Sequence, residues 1–236
     1  MCKFFRAYFS FQVRSRVTMF LAERRNFMKL FEAIEKVCAI DEEAMKKTKK
    51  QWLSIAKPLF SLGKLEDIIT KISGIKGASQ YSIEKKALIV MCADNGVVEE
   101  GVTQTGQEVT AVVTENFSRG LTSACIMSKI AGVDIFPVDI GVSVDVKGVT
   151  DKKIKVAYGT RNIVKGAAMT REQAVSAIEA GINKVIELRD KGYDIIATGE
   201  MGIGNTTTSS AIMSFLFDLP AEAVTGRGAG LTKEGL

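Results

Sequence analysis

A glycine-rich segment in the last quarter of the chain holds the residue types and spacing best suited to chemistry. The β-branched run at 194–198 predicts a buried parallel strand, and the pattern at 206–217 predicts a helix whose first turn is capped by Asn205 or Thr206. The glycine-rich residues between them, 199–205, predict a loop that lets a ligand approach the backbone. A strand, such a loop and a helix N-terminus direct several backbone N–H groups to one point, and this arrangement suits a phosphate.

The same pattern also fits a structural turn that binds nothing, and both interpretations stay open at this point. No lysine follows the glycines, so the segment is not a Walker loop, and the full GxGxxG dinucleotide fingerprint is missing. Glu200 places a carboxylate at the mouth of the loop. Ligands bind open α/β sheets at the carboxyl ends of the strands, so this carboxylate favours a phosphate-bearing ligand over a structural turn.

The composition restricts the chemistry further. The 236 residues include no histidine, which excludes histidine acid–base catalysis, Ser-His-Asp triads and histidine metal sites. Proton transfer must therefore use carboxylates, lysine, tyrosine or cysteine. The four cysteines show no CxxC pairing, so we expect no zinc site, no disulfide framework, no other metal or cofactor, and reduced thiols in a cytoplasm.

The net charge of +5 has a single source. Residues 1–27 contain six basic side chains against Glu23 alone, and the rest of the chain is balanced. We therefore expect no nucleic-acid partner, and no apolar run approaches the roughly 20 residues that span a bilayer. Residues 1–27 are expected to form a poorly structured basic tail, with translation starting at Met28 as the favoured interpretation and a membrane-surface or targeting helix as the alternative.

The hydrophobic pattern predicts an α/β fold: a Rossmann-like, mostly parallel sheet with flanking helices, plus a small N-terminal helical lobe. We expect the lobe at 28–80 and an α/β nucleotide-binding domain, incomplete at its C-terminus, at 81–236. Lobe helices are predicted at 29–56, with a second one starting near Asp41, and from Ser61 onward.

Three further strands are predicted in the α/β domain. One ends at Asp94, where a ligand contact and ordinary turn chemistry are both open. The second, 133–141, contains Pro137 and is expected at an edge or bulge. The last, 223–225, leads into a second glycine loop. Helices are predicted at 108–118, at 122–130, and from the Thr170 capping box to Gly192.

Five segments, in order, resemble one family: MCADNGVVEEGV (91–102), SRG (118–120), VDIGV (138–142), GTRNIVKGAAMTREQA (159–174) and GEMGIGNTTTSSA (199–211). They are similar to nicotinate-nucleotide:dimethylbenzimidazole phosphoribosyltransferases, which assemble the lower-ligand nucleotide of cobalamin. The resemblance covers about residues 29–236. It implies transfer of ribose 5-phosphate from nicotinate mononucleotide to a benzimidazole-type base with inversion at the anomeric carbon, by a cytoplasmic homodimer.

The resemblance also implies site residues. Glu200 matches the family's catalytic glutamate, at a position where a carboxylate stabilises an oxocarbenium-like centre. The phosphate side is expected at Gly202, Gly204, Asn205, Thr206 and Gly228, and the base pocket at Thr105, Met201 and Asp94.

The chain departs from the family pattern in several places. The family's proton-accepting glutamate and a lysine fall beyond Leu236. Asn95 replaces a histidine of the family pattern, and Val113 stands where some members have a glutamine. The lobe segment 57–66 also differs from the family pattern. The competing interpretation is therefore a truncated protein that binds a nucleotide phosphate without turnover. A dinucleotide-binding domain is disfavoured because no suitable acidic residue follows the glycine loop at the roughly 20-residue spacing of a ribose contact.

Overall fold

A computed structural model describes residues 28–149 and 154–229. The chain divides into two compact units, Met1–Ile83 and Glu84–Leu236, where the sequence led us to expect a boundary after residue 80. The expected basic tail, 1–27, lies outside the described residues.

The described part of the first unit is helical. Its helices are α1 (Met28–Glu35), α2 (Glu42–Ser54) and α3 (Lys64–Lys76). Asp41 caps α2 by accepting a hydrogen bond from the Ala44 N–H at 3.0 Å, and acidic residues in the first turn of that helix favour its dipole. The second helix of the lobe thus begins where the sequence predicts.

The second unit is built on a parallel sheet of three strands in the order β2-β1-β3, which are β1 (Lys86–Ala93), β2 (Val133–Gly141) and β3 (Ile195–Met201). Pro137 lies in β2, an end strand of this described sheet, and pairs with Val90. The register shifts after Cys92, which leaves Ile140 as an extra residue in β2. Pro137 therefore lies in an end strand of the described sheet, which is one of the two placements that the sequence predicted, and the bulge lies three residues further along.

The helices of the second unit are α4 (Glu108–Ser118), α5 (Ser123–Ala131), α6 (Arg171–Asp190), α7 (Asn205–Phe217) and α8 (Ala221–Val224), with a 3₁₀ turn at Gly96–Glu100. The predicted capping box of Thr170 and Gln173 opens α6, with hydrogen bonds in both directions. None of the helices in the described ranges combines the length and the apolar character that a bilayer crossing requires.

Apolar side chains cover both faces of the sheet. One cluster contains Ala87 and Ile89 of β1 with Leu188 of α6. The other contains Val90 and Cys92 of β1, against which α4 packs. Successive strand residues point to opposite faces, so helices lie on both sides of the sheet. This confirms the Rossmann-like α/β fold.

Three predictions of local structure were wrong. Strand β3 continues to Met201 because it pairs with β1 as far as Cys92, so Gly199 and Glu200 belong to the strand and not to the loop. Gly204, with φ +86°, is the N-cap of α7, so neither Asn205 nor Thr206 caps that helix.

The predicted strand at 223–225 was also wrong, because residues 221–224 form the short helix α8. Pro220 precedes its first turn, and the Thr225 hydroxyl donates to the Ala221 carbonyl at 2.7 Å, which satisfies a carbonyl of that turn.

Candidate active site

The carboxyl ends of β1 and β3 form one edge of the sheet, because the strands are parallel neighbours. Gly202, just after β3, passes very close to the end of β1. A Cβ atom at Gly202 would lie 2.2 Å from the Ala93 carbonyl oxygen, a distance that no side chain tolerates. Glycine is therefore required there for the loop to approach the strand.

The glycine loop, residues 202–204, turns directly into α7. The Asn205 N–H donates to the Gly202 carbonyl at 3.0 Å, and the Thr208 N–H donates to the Gly204 carbonyl at 3.3 Å. The N–H groups of Thr206 and Thr207 lie in the first turn, where a helix supplies no carbonyl partners. These groups and the dipole of a 13-residue helix make the loop suited to an anion.

Glu200 lies beside this helix start. It is exposed, and its carboxylate accepts a hydrogen bond from the Asn205 side-chain amide. Gly228, with φ +53°, also lies at the helix start, since a Cβ atom there would be 2.9 Å from the Thr206 hydroxyl oxygen. The structure thus brings six of the expected site residues together around the first turn of α7: Glu200, Gly202, Gly204, Asn205, Thr206 and Gly228.

Two residues expected in the base pocket are placed differently. Met201 packs against the apolar cluster around Val90 and Cys92, on the face of the sheet opposite to Glu200, which pairs with Met91. Thr105 lies exposed in the loop before α4, where its carbonyl accepts from the Thr103 hydroxyl at 2.7 Å. Their contact with the base stays a prediction.

Asp94, the third residue expected in the base pocket, is fully buried at the end of β1. One carboxylate oxygen accepts from the Ser143 N–H at 2.7 Å, and the backbone carbonyl accepts from the Thr160 N–H at 3.0 Å. Among the described residues, the other carboxylate oxygen has no hydrogen-bond partner. Asp94 therefore connects three chain segments at the sheet edge, and its predicted contact with the base also stays a prediction.

Two polar contacts at the glycine loop were missed from the sequence. The Asn95 side-chain amide donates to the Ile203 carbonyl at 3.0 Å, and the Ile203 N–H donates to the Thr110 hydroxyl at 3.1 Å. The partners are about a hundred residues apart in sequence. A threonine inside a helix gives no signal of such a contact, although Asn95 was noted as a departure from the family pattern.

Cys92 lies below this edge and is not a proton acceptor. Burial raises the pKa of its thiol to about 11, and the charges of Asp139 and Glu200 act in the same direction. The thiol is therefore neutral near pH 7, so carboxylates remain the acid–base groups at the edge.

Comparison with known proteins identifies the family of the chain. A family described as "Phosphoribosyltransferase" matches residues 37–236. The chain is 47% identical over 209 residues to the nicotinate-nucleotide–dimethylbenzimidazole phosphoribosyltransferase of Clostridium acetobutylicum, covering 88% of this chain and 59% of that protein. The protein of the same name from Acetivibrio thermocellus is 49% identical, with the same coverage.

Among solved structures, the chain is similar to CobT from Thermus thermophilus, with a TM-score of 0.76 and 35% identity over 82% of this chain and 58% of that one. The chain thus spans about 59% of the length of the curated relatives that it matches. The chain belongs to this phosphoribosyltransferase family.

Proposed function

We propose that this chain transfers ribose 5-phosphate from nicotinate mononucleotide to 5,6-dimethylbenzimidazole or a related base. The products are α-ribazole 5′-phosphate and nicotinate, and the reaction serves cobalamin biosynthesis. The observation that carries the proposal is the pairing of an anion-suited loop and helix start with an exposed carboxylate, Glu200, beside them. The names of the relatives support the choice of substrates.

The chemistry follows from the charges. The C1′–N bond to nicotinate breaks with its electron pair leaving on the ring nitrogen, while a ring nitrogen of the base forms the new bond on the opposite face and inverts C1′. Positive charge develops at C1′ in between, and a fixed carboxylate stabilises that charge. Glu200 fills this role because the Asn205 amide holds one of its oxygens at the loop. The new N-substituted ring is a cation, and it passes the proton of its other ring nitrogen to solvent water.

The proposed phosphate site consists of Gly202, Gly204, Asn205, Thr206 and Gly228. The glycines keep Cβ atoms out of the approach, and the first turn of α7 supplies N–H groups. Thr105, Met201 and Asp94 are proposed to line the base pocket. The reaction requires neither a metal ion nor a cofactor, because the pyridinium nitrogen is already a good leaving group.

A cytoplasmic homodimer is part of the proposal. Among the described residues, Cys92 and Cys125 form no disulfide, which fits a reducing compartment. Each unit exposes large apolar side chains, for example Ile75 at 70% in the first unit and Phe215 at 71% in the second. Such surfaces favour association with other polypeptide. Light scattering tests the dimer, and a monomeric mass at micromolar concentration would contradict it.

The test of function combines binding with turnover. Calorimetry with nicotinate mononucleotide should show one site per chain, and chromatography after addition of 5,6-dimethylbenzimidazole should show α-ribazole 5′-phosphate and nicotinate in equal amounts. Product that is lost in Glu200→Gln supports the proposal. Binding without product would support the truncated, phosphate-binding alternative. Neither binding nor product would refute both.

A further inference from the structure

We infer that Asn95 and Thr110 are positioning residues that hold the peptide groups of Ile203 and thereby aim the backbone of the glycine loop at the phosphate. The inference rests on the proposed function and extends it to two side chains outside the loop. It also gives Asn95 a role in this chain, where the family pattern has a histidine.

Asn95 and Thr110 form hydrogen bonds with two consecutive peptide groups of the glycine loop. The Ile203 N–H belongs to the peptide that joins it to Gly202, and it donates to the Thr110 hydroxyl at 3.1 Å. The Ile203 carbonyl belongs to the next peptide, which joins it to Gly204, and it accepts from the Asn95 amide at 3.0 Å. Each plane is thus fixed by a side chain from another element of the same unit.

A trans peptide points its carbonyl and its N–H in opposite directions. Because Asn95 draws the Ile203 carbonyl toward the end of β1, the Gly204 N–H of the same peptide points away from that strand. In the preceding peptide, Thr110 holds the N–H, and the opposite Gly202 carbonyl accepts from the Asn205 N–H at 3.0 Å. The contacts therefore set the direction of the Gly204 N–H as well as the turn into α7.

Both holding side chains are themselves fixed. Thr110 is completely buried in α4. Asn95 follows β1, and its backbone carbonyl accepts a hydrogen bond from the Gln107 side-chain amide at 3.0 Å. The ordering of the loop before a ligand arrives reduces the conformational entropy lost on binding. Loss of either contact should therefore weaken nucleotide binding, although neither side chain belongs to the loop.

Helix α4 offers a matched control. Thr114 is also completely buried, one turn after Thr110, and its hydroxyl donates to the Thr110 carbonyl at 2.7 Å within the helix. Replacement of either threonine by valine exchanges a buried hydroxyl for a methyl group of similar size. Only Thr110→Val removes a hydrogen-bond partner of the glycine loop.

The experiment measures the dissociation constant of nicotinate mononucleotide by calorimetry and the melting temperature of the same samples. Thr110→Val should weaken binding about tenfold, since it removes one hydrogen bond that orders the site. Thr110→Ser, which keeps the hydroxyl, and Thr114→Val should bind within about twofold of the unaltered chain. Asn95→Leu, which lacks a donor for the Ile203 carbonyl, should weaken binding as Thr110→Val does.

A hydrogen-exchange measurement makes the result independent of global stability. The Ile203 amide should exchange faster in Thr110→Val and at the original rate in Thr114→Val. Equal affinities in Thr110→Val and Thr114→Val, or no rescue by Thr110→Ser, would overturn the inference alone. Failure of the unaltered chain to bind nicotinate mononucleotide would overturn the proposed function and this inference with it.

Discussion

Replacement of Gly202 by alanine tests the close passage of the glycine loop over the end of β1. The added Cβ atom would lie 2.2 Å from the Ala93 carbonyl oxygen and 3.0 Å from the Asn95 amide nitrogen. Carbon and carbonyl oxygen normally approach to about 3.3 Å, so the loop must move away from the strand by roughly 1 Å. Strain of this kind destabilises a protein by about 1–3 kcal/mol.

The assay compares thermal unfolding and nucleotide affinity. A loss of about 2 kcal/mol lowers the melting temperature of a domain of this size by roughly 4–8 °C. A shift of roughly 1 Å also lengthens the hydrogen bonds from the loop to a phosphate beyond useful range, so nicotinate mononucleotide should bind at least about tenfold more weakly.

Gly181→Ala is the matched control. Gly181 lies in α6 with nothing within 4 Å of the position of a Cβ atom, so alanine should stabilise the helix by about 1 kcal/mol and leave affinity unchanged. If Gly202→Ala melted at the original temperature and bound the nucleotide normally, the close passage of the loop over β1 would be wrong.

Three further outcomes are expected. Glu200→Gln should lower turnover about 10²- to 10³-fold and leave nucleotide affinity nearly unchanged, as steady-state kinetics and calorimetry would show; an unchanged turnover would remove Glu200 from catalysis. Ionisation of the Cys92 thiol should lower the unfolding free energy by about 3 kcal/mol between pH 9 and about 11, because the thiol of the unfolded chain loses its proton first. Urea titrations at each pH measure this fall, and Cys92→Ala should remove it. Lys155→Met should destabilise the protein by about 3 kcal/mol, because it leaves the buried Asp139 carboxylate, 3.0 Å from the Lys155 ammonium, without its partner; the same change at Lys165, an exposed side chain, should shift the melting temperature far less.

The strands of the sheet were predictable where the residue types within the strand determine its burial or its place in the sheet. The apolar run before Asp94 has to be buried on both faces, and Pro137 cannot donate to a neighbouring strand, so a buried strand and an edge strand follow from composition. Hydrophobic spacing and the Thr170 capping box likewise predicted α6.

The errors arose where contacts with another part of the chain determine the local structure. Gly199 and Glu200 have low strand propensity, yet pairing with β1 extends β3 across both. Gly204 takes the N-cap position in a left-handed conformation, which freed the Asn205 side chain to bind Glu200. The contact of Thr110 with Ile203 depends on how α4 packs against the sheet edge, so no local pattern could reveal it.

The type of the candidate site was proposed from the sequence, and its arrangement came from the structure. Glycines before a helix, with a carboxylate nearby, indicated a phosphate site, and the resemblance named the residues. The structure added that Gly228 lies against Thr206 and that Met201 and Glu200 lie on opposite faces of the sheet. These relations come from the chain's path in three dimensions.

A crystal structure of the chain with nicotinate mononucleotide tests the central claim most directly. We expect the phosphate within hydrogen-bond distance of the N–H groups of Gly204, Thr206 and Thr207, beside Gly228, with the Glu200 carboxylate facing C1′ of the ribose. A phosphate bound away from the first turn of α7, or a ribose with C1′ out of reach of Glu200, would contradict the account.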